Sequence, residues 1–324
     1  MHAHNYLGVV SIFVCAAFIV QLIIIACAPG GIDINVYWNQ SVAMDFTNPR
    51  YYHEPVSWII IKFLSGIFDR NGFLLSFGII LLMLGIFRLG LAGGAVLYAS
   101  LLSPFGIMMA LNVLRQCLGS VFLLFFILSI VNERRKASAF WGMLAILSHN
   151  STLIFVGAIS FLWIFNAIKR EWKTVSLLAL AIIIVSAQLL GGLDIILGSQ
   201  SNSVDVNVDG DGIQNALYFA FAMIFCGLLH SATQQEKWRP IAIGLAAATI
   251  FSLVIAVLLS MDAWVYGRVA ITTVFCCHFL LLFDAWEVRR VGAQGALFLC
   301  GVVVINGTLT IFHPGAMSMI FGLV

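Results

Sequence analysis

Gln116-Cys117-Leu118-Gly119-Ser120-Val121-Phe122-Leu123-Leu124-Phe125-Phe126-Ile127-Leu128-Ser129-Ile130-Val131, closed at once by Asn132-Glu133-Arg134-Arg135-Lys136, decides the fold. The run carries no charge, and a helix needs about 20 such residues to cross ~30 Å of hydrocarbon. The basic cluster after it marks where the chain returns to water, and short basic loops stay on the cytoplasmic side of a membrane. Similar runs recur from end to end. Hydrophobic residues make up 62% of the 324, without counting glycine, against roughly 45–50% with glycine in an average soluble domain. Charged residues are 9%, with 16 basic against 14 acidic for a net +2. So little charge cannot coat a water-soluble globule of this size, and there is no basic excess to hold nucleic acid. The partner implied is a lipid bilayer, and the chain reads as one all-α polytopic integral unit over 1–324, with no internal repeat.

Working outward, the apolar runs predict about eleven crossings: 7–28, 72–87, 90–110, 116–131, 137–148, 152–168, 174–193, 215–230, 240–260, 264–284 and 294–312. The first run has no Lys or Arg ahead of it and is longer than a signal-peptide core, so it reads as a retained span. Cysteines 15, 27, 117, 226, 276, 277 and 300 show no C-x-x-C spacing, which argues against a zinc site or a disulfide scaffold. Four loops are basic: 133–136, 169–173, 236–239 and 287–290. All four reach the cytoplasm together under two conditions. Segment 55–68, too short to cross and carrying Lys62, must lie at the interface or re-enter. The stretch 137–168 must enter and turn back near Ser148-His149-Asn150-Ser151, where a polar cluster at depth needs protein or water around it.

The outer side then holds loops 29–71 and 194–214, and with them the polar residues a bilayer tolerates least: Asp33, Tyr37, Tyr51, Tyr52, His53, Glu54, Arg115, Gln116, His149, Asn150, Ser151 and Arg268. A charge at membrane depth costs ~2.5–3.5 kcal/mol even on lenient scales and marks a site or an ion pair. One arginine at a helix end commonly snorkels. Two on one side, beside an acidic and aromatic loop, point instead to phosphate, which suits a planar fork of donors. His149 with Asn150-Ser151-Thr152 reads as a helix break with a cap or as a functional cluster, and its cost at depth favours function. Tyr37, Tyr51, Tyr52 and Tyr266 fit either an aromatic belt or a surface that stacks on sugar rings. Asp205 to Asp211 begins like a calcium loop, but its twelfth position is Ala216 rather than the bidentate Glu, so a solvated loop is favoured over weak calcium binding and no catalytic metal is expected.

Asp33 with Tyr37 after the first span, Tyr51-x-x-Glu54-Pro55, Arg115-Gln116 opening a later span, a basic loop and then His149-x-Ser151 together resemble the EpsG-like branch of the Wzy-type bacterial polysaccharide polymerases. The resemblance covers roughly residues 30–155 and departs from the usual pattern at Val56, where leucine is commoner. It implies a fold similar to the GT-C enzymes and an inner-membrane glycosyltransferase whose active site faces the periplasm. Such enzymes join oligosaccharide repeat units carried on undecaprenyl pyrophosphate, work without a cofactor and can act with a chain-length regulator. On that reading Arg115 and Arg268 bind pyrophosphate. His149, Glu54 and Asp33 are the catalytic candidates, and His149 is the favoured base because adjacent guanidinium charge keeps an imidazole neutral and weakens a carboxylate as a base. Glu54 would position sugar hydroxyls or pair with an arginine. Tyr37, Tyr51, Tyr52, His53, Gln116, Asn150, Ser151 and Tyr266 would contact substrate.

Other readings differ in what they leave unexplained. An O-antigen ligase shares the arginines and the outward site. A transporter or flippase commonly shows paired repeats with matching helix breaks, whereas this sequence has one clear break. A structural scaffold gives no reason for Arg115, His149 and Arg268 to share a side.

Overall fold

Every apolar run inside the described residues is helical in the computed structural model, which describes residues 2–27, 38–42, 44, 54–112, 114–167, 212–232, 236–258, 264–289 and 293–312. The helices are α1 (His2–Cys27), α2 (Pro55–Ile67), α3 (Arg70–Leu101), α4 (Pro104–Asn112), α5 (Leu114–Val131), α6 (Arg135–Ser148), α7 (Thr152–Ala167), α8 (Gly212–Ala232), α9 (Arg239–Leu258), α10 (Trp264–Arg289) and α11 (Ala293–Phe312). Among the described residues, four stretches are long and apolar enough to cross a membrane: Arg70–Leu101, Leu114–Val131, Glu236–Val257 and Tyr266–Val288. The outer surface agrees, since Phe13, Phe63, Met83, Phe87 and Val257 are all largely exposed, an amount of apolar surface that water does not tolerate. The chain is therefore an all-α protein with multi-pass membrane character. The expected span 174–193, the loops 169–173 and 194–214 and the calcium-like stretch 205–211 lie outside the described residues.

Helix α5 is the axis of the bundle. Apolar all round, it is buried along almost its whole length, as a helix with no polar face must be. It packs along α6, while α1 lies against α3, α8 against α10, and α9 against α7. Two expected spans change shape. The runs 72–87 and 90–110 meet in α3, which is a hairpin of two arms rather than one rod: Gly90 sits at φ 73°, a left-handed conformation open to glycine at little cost. Across the turn the Tyr98 hydroxyl donates to the Leu81 carbonyl at 3.0 Å. The run 90–110 is also not continuous, since the helix breaks at Leu102-Ser103. Pro104 lacks an N–H and biases the preceding residue away from helical backbone. Ser103 then caps α4, accepting from the Gly106 N–H at 3.2 Å.

Two features on which the expected path depends are present in the fold. Helix α2 has 13 residues, about 20 Å at 1.5 Å per residue, short of a crossing. Helices α6 and α7 fold back on each other: Gly142 and Val156, equally distant in sequence from His149, are close enough that a Cβ on Gly142 would touch the valine at 3.5 Å. The bundle consequently has two chemically different ends. At one end Arg88 donates to Ser129 Oγ at 2.9 Å, Lys237 pairs with Glu287 at 3.2 Å, and the Trp238 indole donates to Asp284 at 2.8 Å. At the other, roughly 28 Å away along α10 from Glu287 to Arg268, lie Glu54, Arg115, His149 and Arg268.

Candidate functional site

Pro55 occupies the first turn of α2, where its missing N–H costs nothing. Glu54 precedes it in non-helical backbone, and its side chain makes no capping bond. The carboxylate is thereby free to point away from its own helix. It is 3% exposed and gathers three partners from elsewhere in the chain. Arg115, one residue into α5, forms an ion pair with Oε2. Oε1 accepts from His149 Nδ1 at 2.6 Å and from the Asn150 backbone N–H at 3.1 Å. Burial by itself would raise the carboxyl pKa, but the positive charge of Arg115, the His149 imidazole and the Asn150 N–H outweigh it and hold Glu54 at about 2. Glu54 is thus ionised throughout the physiological range.

An ionised carboxylate can only accept a hydrogen bond, so Nδ1 of His149 carries the proton that joins the two. In the neutral ring this leaves the lone pair on Nε2. His149 is 1% exposed, and its Nε2 has no hydrogen-bond partner among the described residues. The Ser151 hydroxyl and the Gln116 amide oxygen are also buried without partners among the described residues. Unsatisfied buried polar atoms are few in native proteins and require a reason; here they fall on His149 itself, on Ser148 and Ser151 in its turn, and on Gln116 beside Arg115, together the His149 recess.

Local structure explains how the recess is held. His149 ends α6 in extended backbone (φ −158°, ψ 123°), and Thr152 opens α7 by donating its hydroxyl back to the His149 carbonyl at 2.7 Å. The helix break expected at Asn150-Ser151-Thr152 is present, and Thr152 builds the turn that carries the imidazole. Ser57 of α2 donates to the Ser148 carbonyl at 2.7 Å and stitches the turn to the helix that follows Glu54. Gly119 of α5 lets the turn approach, since a Cβ there would lie 3.0 Å from His149 Cβ and 3.1 Å from Thr152 Cγ2. The Arg115 guanidinium stands over the Trp58 ring at 4.8 Å, a cation–π contact that also fixes its plane.

Arg268 joins through the backbone. The Gln116 amide donates to the Arg268 carbonyl at 2.6 Å and to Thr272 Oγ1 at 2.7 Å, which locks α10 beside the start of α5. Tyr266, half-buried, precedes it on the same helix. Gly267 between them has its Cβ position filled by the Asn215 amide of α8. The structure brings together Glu54, Arg115, Gln116, His149, Asn150 and Ser151, with the Arg268 backbone alongside. Asp33, Tyr37, Tyr51, Tyr52 and His53 lie outside the described residues. Sequence reasoning missed Trp58, Ser57, Gly119, Thr272 and Asn215. Trp58 and Ser57 had a signal, for they fall with Ile61 and Leu64 on the one buried stripe of α2. Among the described residues no group of three metal-ligating side chains is present. No family model, no curated protein and no solved structure matches this chain.

Proposed function

We propose that this chain is a membrane-embedded glycosyltransferase of the polysaccharide polymerase type. It joins undecaprenyl-pyrophosphate-linked repeat units at the periplasmic face of the bacterial inner membrane, in a fold of about eleven crossings similar to the GT-C enzymes. The reading is carried by one observation: a buried imidazole bound through Nδ1 to an ionised carboxylate at 2.6 Å, with Nε2 unpartnered among the described residues and an arginine on the same carboxylate. This is the arrangement a general base requires beside a departing phosphate.

In the proposed reaction a hydroxyl of the acceptor unit gives its proton to His149 Nε2 as its oxygen attacks the anomeric carbon of the donor. Glu54 stays ionised and stabilises the imidazolium that forms, as the carboxylate does in hydrolytic triads. The new glycosidic C–O bond forms as the bond to pyrophosphate breaks, and the electron pair leaves on the lipid-linked pyrophosphate. Positive charge from Arg115 and Arg268 stabilises that leaving group, and fixed charge in a site poor in water is effective at this. Pyrophosphate is already a weak base and departs without protonation. The reaction needs no cofactor, and EDTA leaves it intact.

The decisive experiment is the glycan profile of a strain lacking the gene. Collapse of the polymer ladder to a single repeat on its final acceptor supports the polymerase. Free polymer accumulating without attachment assigns ligase chemistry instead, and lipid-linked units stranded on the cytoplasmic side assign a flippase. Cysteine labelling at positions 54, 115 and 149 tests the sidedness; modification from the cytoplasm alone refutes it.

A further inference from the structure

The basic end of the bundle holds a polar pocket, remote from the His149 cluster and unused by the function proposed above. Its volume is about 180 Å³, and Arg88, Asn132, Lys237, Trp238 and Glu287 line it. Arg88 donates to Ser129 Oγ at 2.9 Å, and its buried Nε has no partner among the described residues. No carboxylate lies within ion-pair distance of Arg88 among those residues. The one acidic side chain of the lining, Glu287, is taken by Lys237 at 3.2 Å. The lining thus carries two cations against one carboxylate that Lys237 already engages; a half-buried guanidinium with no anion of its own is costly, and an anion in the pocket removes that cost.

The setting specifies the kind of anion. Arg88 closes the apolar first arm of α3, just before the break at Gly90, and a basic residue at the end of an apolar helix suits an anionic headgroup. Its neighbour Phe87 is 83% exposed and Leu91 is also exposed, so apolar surface suited to an acyl chain adjoins the charge. Lys237 is held at the rim by Glu287 and by the Trp238 ring, 4.8 Å away. The indole is itself anchored to the buried Asp284 at 2.8 Å. A cation fixed on a rigid ring, a second cation at depth, an amide between them and an apolar flank match a phosphodiester with a tail better than a free ion. We propose that this pocket binds the headgroup phosphate of an anionic membrane lipid, with Arg88 and Lys237 as the charged contacts and Asn132 as a hydrogen-bonding one.

The test is native mass spectrometry of the full chain in neutral detergent with equimolar phosphatidylglycerol and phosphatidylcholine. The expected result is selective retention of phosphatidylglycerol, reduced about fivefold by Arg88→Gln and by Lys237→Gln, the equivalent of roughly 1 kcal/mol per basic residue at an anionic surface. Arg239→Gln, an exposed charge outside the pocket, should leave retention unchanged. Lys237 is 32% exposed, so its variant keeps the question answerable if Arg88→Gln fails to fold. Equal retention of both lipids, unchanged binding in both pocket variants, or an equal loss in Arg239→Gln overturns the proposal. Displacement by millimolar inorganic phosphate overturns it too, by assigning the pocket to a free anion.

Discussion

Replacing Glu54 with glutamine tests the site most directly, because one carboxylate joins three parts of the chain. Glutamine keeps the shape and one acceptor oxygen, so the contacts to His149 and Asn150 can survive in part. The charge opposite Arg115 cannot. Arg115 is 18% exposed, and stripping the partner from a mostly buried ion pair costs about 3–5 kcal/mol, toward the lower figure for a cation that still reaches some solvent. The titration gives a second measure. Glu54 sits at about 2 against its ordinary 4.5, and at 1.36 kcal/mol per pH unit that is on the order of 3 kcal/mol of stability. Since the folded pKa is the lower one, this stability is complete above about pH 4.5 and is lost as pH falls toward 2. With about 2–4 °C per kcal/mol for a larger domain, Glu54→Gln should melt roughly 6–12 °C below wild type in detergent. Glu54→Gln/Arg115→Met should recover most of that, because removing both charges leaves none buried alone. Chain extension should stay lost in both. A Tm within about 1 °C of wild type, or a double variant less stable than either single, would refute the carboxylate as the tie between these elements.

His149→Gln should abolish chain extension, a loss of about 10²–10⁴ in rate for a general base, with donor binding near normal. A dead Asp33→Asn beside a working His149→Gln moves the base to Asp33. Arg268→Gln should cost about a hundredfold or more in rate, poorly rescued by lysine, whose point charge lacks the planar fork; near-normal polymer length on a gel sinks the pyrophosphate role. Gly119→Ala should destabilise by ~1–3 kcal/mol, since its methyl meets His149 Cβ at 3.0 Å, and should lower activity more than a comparable change at Gly157, where nothing lies within 4 Å. Equal effects at the two glycines on melting and on rate would show that the turn does not need the close approach.

Mutual pairing of groups, more than their identity, separates this recess from a set of exposed polar residues. Arg115 was expected as a cation waiting for phosphate; in the folded chain its charge is balanced by Glu54. The proposed catalysis therefore relies on a fixed guanidinium held by an ion pair and a ring, and on Arg268 for the further positive charge. Such preorganisation is what makes an electrostatic site effective, because its dipoles need not rearrange as charge develops.

From the sequence alone came the apolar, membrane-type character, most helix positions among the described residues, the shortness of α2, the reversal at His149 and the grouping of Glu54, Arg115 and His149. All of these follow from local composition: apolar runs of sufficient length, a polar cluster that breaks a run, and basic loops that share a side. The hairpin at Gly90 and the break before Pro104 blurred into neighbouring apolar sequence, where one run reads like the next. What only the tertiary structure decided is which group meets which. Glu54 and His149 are separated by 95 positions and Gln116 and Arg268 by 152, and no periodicity links them. Helix α5 is apolar on every face, so it has no stripe to tell which neighbour covers which side. Its partners, and with them the joining of Arg115 to Glu54 and of Glu54 to His149, are set by close packing at Gly119 and by the few polar bonds a water-free interior obliges the chain to satisfy.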